Sequence, residues 1–318
     1  MEIKKRYLSK CKTSFIIVVF VAILAFSIEG LCAQDQDPNS GFPIIRIATW
    51  NVKDCSAINQ KTKETFLLHP FIAEAIKGAR IDIIAIQEIQ TEGHKGADIA
   101  FLQKALLDID WPMPNVAWVR SPQNDDLAIF SRFPIEESRT ILEPSGQPWP
   151  RPVLETCIDL VDMRLYLYNA HFKAYDDQKS LSARIAQAQA LASHLRQRFG
   201  QSIREAAIIL AGDFNTISPY DMQSKTGTIE LLRLRDNEDP TDDFLSLNLE
   251  WLYFKPTYKS KPYASITDHI IVSPLLAAKA DKNSIEIIDP PPTDKGFPLS
   301  DHKILVFNLD PSRLCLWQ

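Results

Sequence analysis

The chain has 318 residues, of which 45% are hydrophobic, with 35 Lys and Arg against 40 Asp and Glu. That is enough apolar material for a full core in one large domain or two small ones. The net charge of −5 excludes a module that grips nucleic acid through a broad basic face, so any polyanion must be held locally with a bound cation supplying positive charge.

Lys4, Lys5, Arg6, Lys10 and Lys12 open the chain, and Phe15 to Ile28 is almost wholly apolar. A basic start, a short apolar run and a small-residue exit predict a secretory signal peptide over residues 1–33, cleaved after Ala33. The apolar run is short for a membrane span, which disfavours an uncleaved anchor. Glu29-Gly30-Leu31 before Cys32 does not suit lipoprotein processing. Removing 1–33 leaves a net charge of −8. The expectation is an exported protein, periplasmic or secreted, with no stable membrane insertion of the mature chain. Residues 34–42 read as a flexible lead-in, 43–311 as one domain and 312–318 as a tail. Cys55, Cys157 and Cys315 remain, an odd number without metal-finger spacing. One disulfide plus a free thiol, or three reduced thiols, both fit.

Within the domain, Ile44 to Trp50 is a strand by its β-branched content. Phe66 to Lys77 has helical spacing, Ile81 to Ile86 is a strand running into Gln87-Glu88, and Ala97 to Leu107 is helical. Val116 to Val119 and Leu127 to Phe130 are short strands. Val153 to Leu160 and Leu165 to Ala170 pair as a hairpin across Asp162-Met163. Leu181 to Phe199 is the strongest helix, with Ile185, Ala188, Leu191, Ala192 and Leu195 on one stripe. Ala207 to Ala211 is a buried strand, and Tyr263 to Val272 and Ile304 to Asn308 are strands near the end. Strands alternate with helices, hairpins also occur, and no linker divides the chain. The fold class is a mixed α/β domain with buried sheets and outer helices.

Polar clusters stand at the ends of these strands: Asn51, Glu88, Asp213 with Asn215, and Asp301 with His302. They are rich in oxygen ligands and poor in thiols, which suggests a hard divalent cation and phosphate chemistry. Glu88 follows an apolar run and can ligate Mg²⁺ or Ca²⁺. Asp213 and Asn215 share a face in an extended segment, and Gly212 permits a tight turn or a close backbone approach. His171 ends a strand, and Asp268 is placed to hold a histidine in one tautomer. His302 can then act as a base or an electrostatic clamp. Arg151, between Pro150 and Pro152, suits bidentate phosphate binding. His69, His94 and His194 read as surface or helix-face residues, and His269 as pointing to the opposite side of its strand from Asp268.

The segments Thr49-Trp50-Asn51, Ile86-Gln87-Glu88, Ile129 to Ile135, Asn169-Ala170-His171-Phe172-Lys173, Gly212-Asp213-Phe214-Asn215, Asp268 to Ser273 and Ser300-Asp301-His302 occur in that order. Each alone is weak. Together the chain resembles the endonuclease/exonuclease/phosphatase superfamily, which includes pancreatic-type deoxyribonuclease, abasic-site endonucleases, neutral sphingomyelinases and inositol-polyphosphate phosphatases. The resemblance implies a four-layer sandwich of two packed mixed β-sheets flanked by helices. It implies Glu88 as main metal ligand, with Asn51 and Asp301 near the metal or its waters. Asp213 and Asn215 would orient the attacking water and the scissile phosphate. His302, held by Asp268, would polarise the phosphate or take a proton, and His171 would contact it. The cofactor implied is Mg²⁺, with Ca²⁺ or Mn²⁺ as alternatives.

Arg151-Pro152 resembles the phosphate-gripping segment of the deoxyribonuclease-like branch, and His171-Phe172-Lys173-Ala174 followed by a helix with Arg184, Gln187 and Gln189 resembles secreted bacterial nucleases. Gln90 stands where abasic-site enzymes carry lysine, which disfavours that branch. Phe244 to Phe254, with Trp251 and Tyr253, reads as a core or surface strand rather than a membrane-docking insertion. The expected function is a metal-dependent phosphodiesterase, a nuclease with DNA as its substrate. The alternatives are a sphingomyelinase-like enzyme, a phosphomonoesterase, or a degenerate member that only binds a phosphate ligand.

Overall fold

Along the central strands both residue alternations are apolar, so each strand must be covered on two sides. The computed structural model describes residues 44–55, 68–90, 97–121, 125–141, 151–252, 255–260 and 262–313. The expected leader and lead-in, His94, Cys315 and most of the tail lie outside the described residues.

In chain order the first half comprises β1 Ile45–Cys55, α1 His69–Gly78, β2 Ile83–Ile89, α2 Ala97–Asp108, β3 Asn115–Val119, β4 Asp126–Ser131, β5 Ile135–Ile141, β6 Val153–Asp159 and β7 Arg164–His171. Then follow α3 Gln178–Phe199, β8 Ala207–Asp213, α4 Pro219–Gln223, α5 Thr228–Leu232, β9 Leu245–Ser246 and α6 Leu247–Trp251. The last are β10 Tyr258–Ser260, β11 Tyr263–Ser265, β12 Asp268–Val272, α7 Pro274–Ala277, β13 Ile285–Ile288 and β14 Ile304–Leu309.

Two six-stranded sheets result, ordered β13-β14-β1-β2-β4-β3 and β5-β6-β7-β8-β12-β9. Ile47, Ile83 and Ala85 of the first sheet meet Leu167, Ile209 and Ala211 of the second in the central core. The other alternation of the first sheet, Ala48, Trp50, Ile84 and Ile86, packs on Ile72 and Ile76 of α1 and Leu102 and Leu106 of α2. Tyr168, Ile208 and Leu210 of the second sheet meet Ala188, Leu191 and Leu195 of α3. The order helix, sheet, sheet, helix is the four-layer sandwich expected.

Two polar side chains lock the sheets together under their shared strand ends. Gln87 Nε2 donates to Asn169 Oδ1 at 2.7 Å and to Thr49 Oγ1 at 3.0 Å. Asn169 Nδ2 donates to the carbonyls of Ile86 and Ala128, both at 2.9 Å. All three side chains are buried, so the network holds because its donors are paired.

Some expectations need correcting. Tyr263 to Val272 is two strands in different sheets, not one. The amides of Thr267 and Asp268 turn to Thr257 Oγ1, at 3.1 and 3.0 Å, which breaks the ladder between them. Among the described residues of Phe244 to Phe254, Leu245–Ser246 is strand and Leu247–Trp251 is a helix, with Leu247 in the central core. His69 stands on a helix, as the first residue of α1, but it is not on the surface. It is buried, with Nε2 at 3.1 Å from the equally buried Asp98. Cys55 and Cys157 are both free and buried, and burial pushes the Cys55 thiol far up. No described helix is long and apolar enough to cross a membrane.

Candidate active site at the shared strand ends

Parallel pairing sets the site. β1 runs parallel to β2, and β7 parallel to β8, so each pair brings two carboxyl ends together. Those ends deliver Asn51, Glu88, His171 and Asp213. β12 lies antiparallel to β8 with Asp268 opposite Asp213 in register. β14, antiparallel to β1, is entered through His302.

Local irregularities aim the side chains. The ladder shifts between Gln87 and Ile89, a bulge with Glu88 at φ 61°. A left-handed Glu is strained, and a bulge of this kind redirects a side chain out of the strand alternation. Asn215, at φ 51°, follows the same pattern after β8. A Cβ on Gly212 would lie 2.0 Å from the Ala170 carbonyl oxygen, so only glycine lets β7 and β8 close here.

Asp213 is the hub. Its Oδ2 accepts from Asn51 Nδ2 at 3.1 Å and lies 3.6 Å from His171 Nε2 and 3.7 Å from His302 Nε2. Asn51 Nδ2 also donates to Glu88 Oε1 at 2.7 Å, while its Oδ1 accepts from the Lys53 amide at 2.9 Å. His171 Nε2 is 3.7 Å from Glu88 Oε1. Asp213 Oδ1 accepts from the Asn215 amide at 2.9 Å, and Asn215 Nδ2 donates to the Phe172 carbonyl at 3.1 Å. Asp268 Oδ2 meets His302 Nδ1 at 2.9 Å and accepts from Thr267 Oγ1 at 3.0 Å. The Ser300 hydroxyl donates to the Asn51 carbonyl at 2.7 Å and accepts from the His302 amide at 3.0 Å. Seven of the nine expected residues thus share one cluster.

The other two are engaged at its margins. Arg151 is buried, with Nη1 donating to His171 Nε2 at 2.8 Å and to the Phe172 carbonyl at 2.7 Å, and Nη2 to Asp125. Its fork is thus taken up by protein partners. Asp301 Oδ2 pairs with Lys53 Nζ at 2.7 Å, outside the group that Asp213 gathers. His269 turns to the opposite side from Asp268, where it meets Thr216 Oγ1 at 2.7 Å. His194 is on a helix face as expected, 3.0 Å from Glu155.

Charge follows from burial and neighbours. Burial would lower the pKa of His302, but the carboxylates of Asp268 and Asp213 outweigh it and raise it to about 10. His302 is therefore an imidazolium at neutral pH. Burial raises Asp213 to about 7, against the pull of His302. Burial also raises Glu88, with Asp125 and Asp54 adding to the effect. Burial and then the Arg151 and His302 charges push His171 well below the usual imidazole range, so it is neutral.

Two sets of potential ligands have their atoms within 4.8 Å: Glu88, His171 and Asp213, and Asp213, Asp268 and His302. The second contains the His302–Asp268 ion pair, whose imidazolium repels a cation. The first offers the Glu88 carboxylate to a divalent cation with Asp213 close by, while Nε2 of the neutral His171 is already engaged by Arg151 Nη1.

The chain matches the Endonuclease/Exonuclease/phosphatase family over residues 48–302, most of its length. It belongs to that family. Members of the family are divalent-metal-dependent, and this chain is a phosphoric ester hydrolase by membership, with acidic residues that could bind a metal. No curated protein matches it significantly. Among solved structures, truncated Caenorhabditis elegans TDP2 is 15% identical, covering 85% of this chain and 99% of its own, with TM-score 0.59. D. rerio TDP2 complexed with single strand DNA product is 18% identical, covering 84% of this chain and 99% of its own, with TM-score 0.57. The human Nocturnin catalytic domain with bound sulfate anion is 18% identical, covering 84% and 94%, with TM-score 0.56. At these identities the likeness shows the fold.

Lys53, Asp125, Ser300 and Thr257 escaped the sequence reading as parts of the site. Ser300 stands inside a quoted segment, so it alone carried a local signal. The others reach the site by turns and long-range contacts that no spacing announces.

Proposed function

We propose that the protein is an exported phosphodiesterase that cleaves DNA by in-line attack of water on phosphorus. The observation that carries this reading is the convergence of Glu88, Asn51, His171, Asp213, Asp268 and His302 in one cluster at the strand ends. Glu88, with Asn51 beside it, would hold a divalent cation, Mg²⁺ or alternatively Ca²⁺ or Mn²⁺. When bound, that ion supplies positive charge to the phosphoryl oxygens.

The remaining roles fall to the chain's own groups. Asp213, near neutrality in pKa, accepts the proton of the attacking water. Water's oxygen bonds to phosphorus, the bond to the leaving oxygen breaks, that oxygen takes a proton from solvent water, and Asp213 returns its own proton to solvent. Asn215 orients the water and the phosphate. His302, an imidazolium buttressed by Asp268, donates to a phosphoryl oxygen where charge develops. That makes it an electrostatic clamp rather than a base. Arg151 adds positive charge beside His171 at the phosphate. Asp301, paired with Lys53, is assigned to the cation's surroundings rather than to direct ligation.

DNA is favoured by a structural relative solved with single strand DNA product. The test is incubation of the purified mature protein with plasmid and with single-stranded oligonucleotide, with Mg²⁺ plus Ca²⁺ and with chelator. Metal-dependent cleavage is expected. Hydrolysis of sphingomyelin or a phosphomonoester instead would replace the nuclease reading, and binding without hydrolysis of any phosphoester would replace the enzyme reading. Export rests on the leader pattern, and amino-terminal sequencing of the secreted or periplasmic protein should begin at Gln34.

A further inference from the structure

Directly after His171 the chain makes a loop, Phe172 to Asp177, whose shape is fixed with unusual thoroughness. Arg184 of α3 is wholly buried and grips Asp221 with Nε and Nη2, at 3.0 and 2.8 Å. Its remaining Nη1 donates to two loop carbonyls, Lys173 at 3.0 Å and Tyr175 at 2.8 Å. Gln187, one turn further on the same helix face, accepts from the Lys173 amide at 3.1 Å. Asp177 closes the loop as the N-cap of α3, accepting from the Ser180 amide at 3.0 Å.

The product of this clamp is a displayed aromatic ring. Tyr175 has φ 86°, a strained conformation for a residue with a Cβ, and the residue is 68% exposed. Such strain persists only where the surroundings over-determine it, and it clusters at ligand clamps. The ring adds nothing to the core. Lys173 Nζ lies over the ring, 4.9 Å from its centroid, so an ammonium sits on one π-face and a base would stack on the other. That pair is the chemistry that recognises a nucleotide: a base stacks on the ring while its phosphate meets the cation.

We infer that Tyr175, with Lys173, is a stacking platform for a base of the nucleic-acid strand adjoining the scissile phosphate. The inference rests on the nucleic-acid reading above and adds that the enzyme reads the faces of unpaired bases. A duplex keeps those faces stacked on one another, so the substrate class is single-stranded or end-frayed nucleic acid.

The test compares a single-stranded thymidine oligomer with an equally long tetrahydrofuran oligomer, which has sugar and phosphate but no bases, in Mg²⁺. Wild type should favour the thymidine oligomer in KM by about 5- to 150-fold, the range for one stacked base. Tyr175→Ala should bring that ratio toward one, and Tyr175→Trp should restore it. An unchanged ratio in Tyr175→Ala, or no preference in wild type, overturns the platform and leaves the nuclease reading standing. An equal loss on both oligomers also overturns it, because Tyr175 would then only shape the loop. Failure of wild type to cleave either oligomer sinks the nucleic-acid reading and the platform together.

Discussion

At the scale of single residues, the site is a set of charges kept in tension by burial. His302 sits between two carboxylates, so its proton is held to about pH 10. His302→Asn removes that charge while keeping a polar side chain of similar reach. Turnover should fall about 10²- to 10³-fold, as for loss of one transition-state donor, with an unchanged circular dichroism spectrum. The same residue predicts a pH effect on stability. Its folded pKa lies above the ordinary 6.5, so its contribution is complete below that value and is lost as pH rises through about 10. Asp213, raised from 3.8 to about 7, acts in the same direction over a lower window. In chelator-treated protein, Tm should therefore decline between pH 7 and 10, and His302→Asn should flatten the decline. A wild-type Tm that rises across that range would contradict the charge assignment.

At the scale of elements, α3 does more than cover a sheet. Leu191 and Leu195 pack inward, while Arg184 at its amino end fastens the loop after β7. Arg184→Ala would leave Asp221 buried and unpaired, which costs about 3–5 kcal/mol. Urea unfolding should show that loss as a lower midpoint with an unaltered slope. The interior strands and long helices were legible because their periodicity is strong. β5 was not: Ile135–Ile141 is an edge strand with five successive exposed residues, and it has no apolar alternation to read. The break between β11 and β12 was hidden for another reason. It depends on Thr257, a distant residue that captures two amides a strand would otherwise use.

At the scale of the molecule, the two sheets must close on each other tightly enough for one cleft to collect residues from both. Gln87 and Asn169 hold that closure, and within the second sheet the close approach of Gly212 to Ala170 brings the ends of β7 and β8 together. Gly212→Ala should push β7 from β8, lowering Tm and activity together; a variant that keeps both would show that the close approach is dispensable. The sequence by itself determined the family, the alternation of buried strands and helices, and the residue types at the strand ends, because each is written in local order. Tertiary structure alone decided how those residues are used. It made His302 a cation by setting Asp268 and Asp213 around it, turned the Arg151 fork toward protein partners, and paired Asp301 with Lys53. Charge state and partnership depend on burial and on groups distant in the chain, and those exist only after the sheets have met.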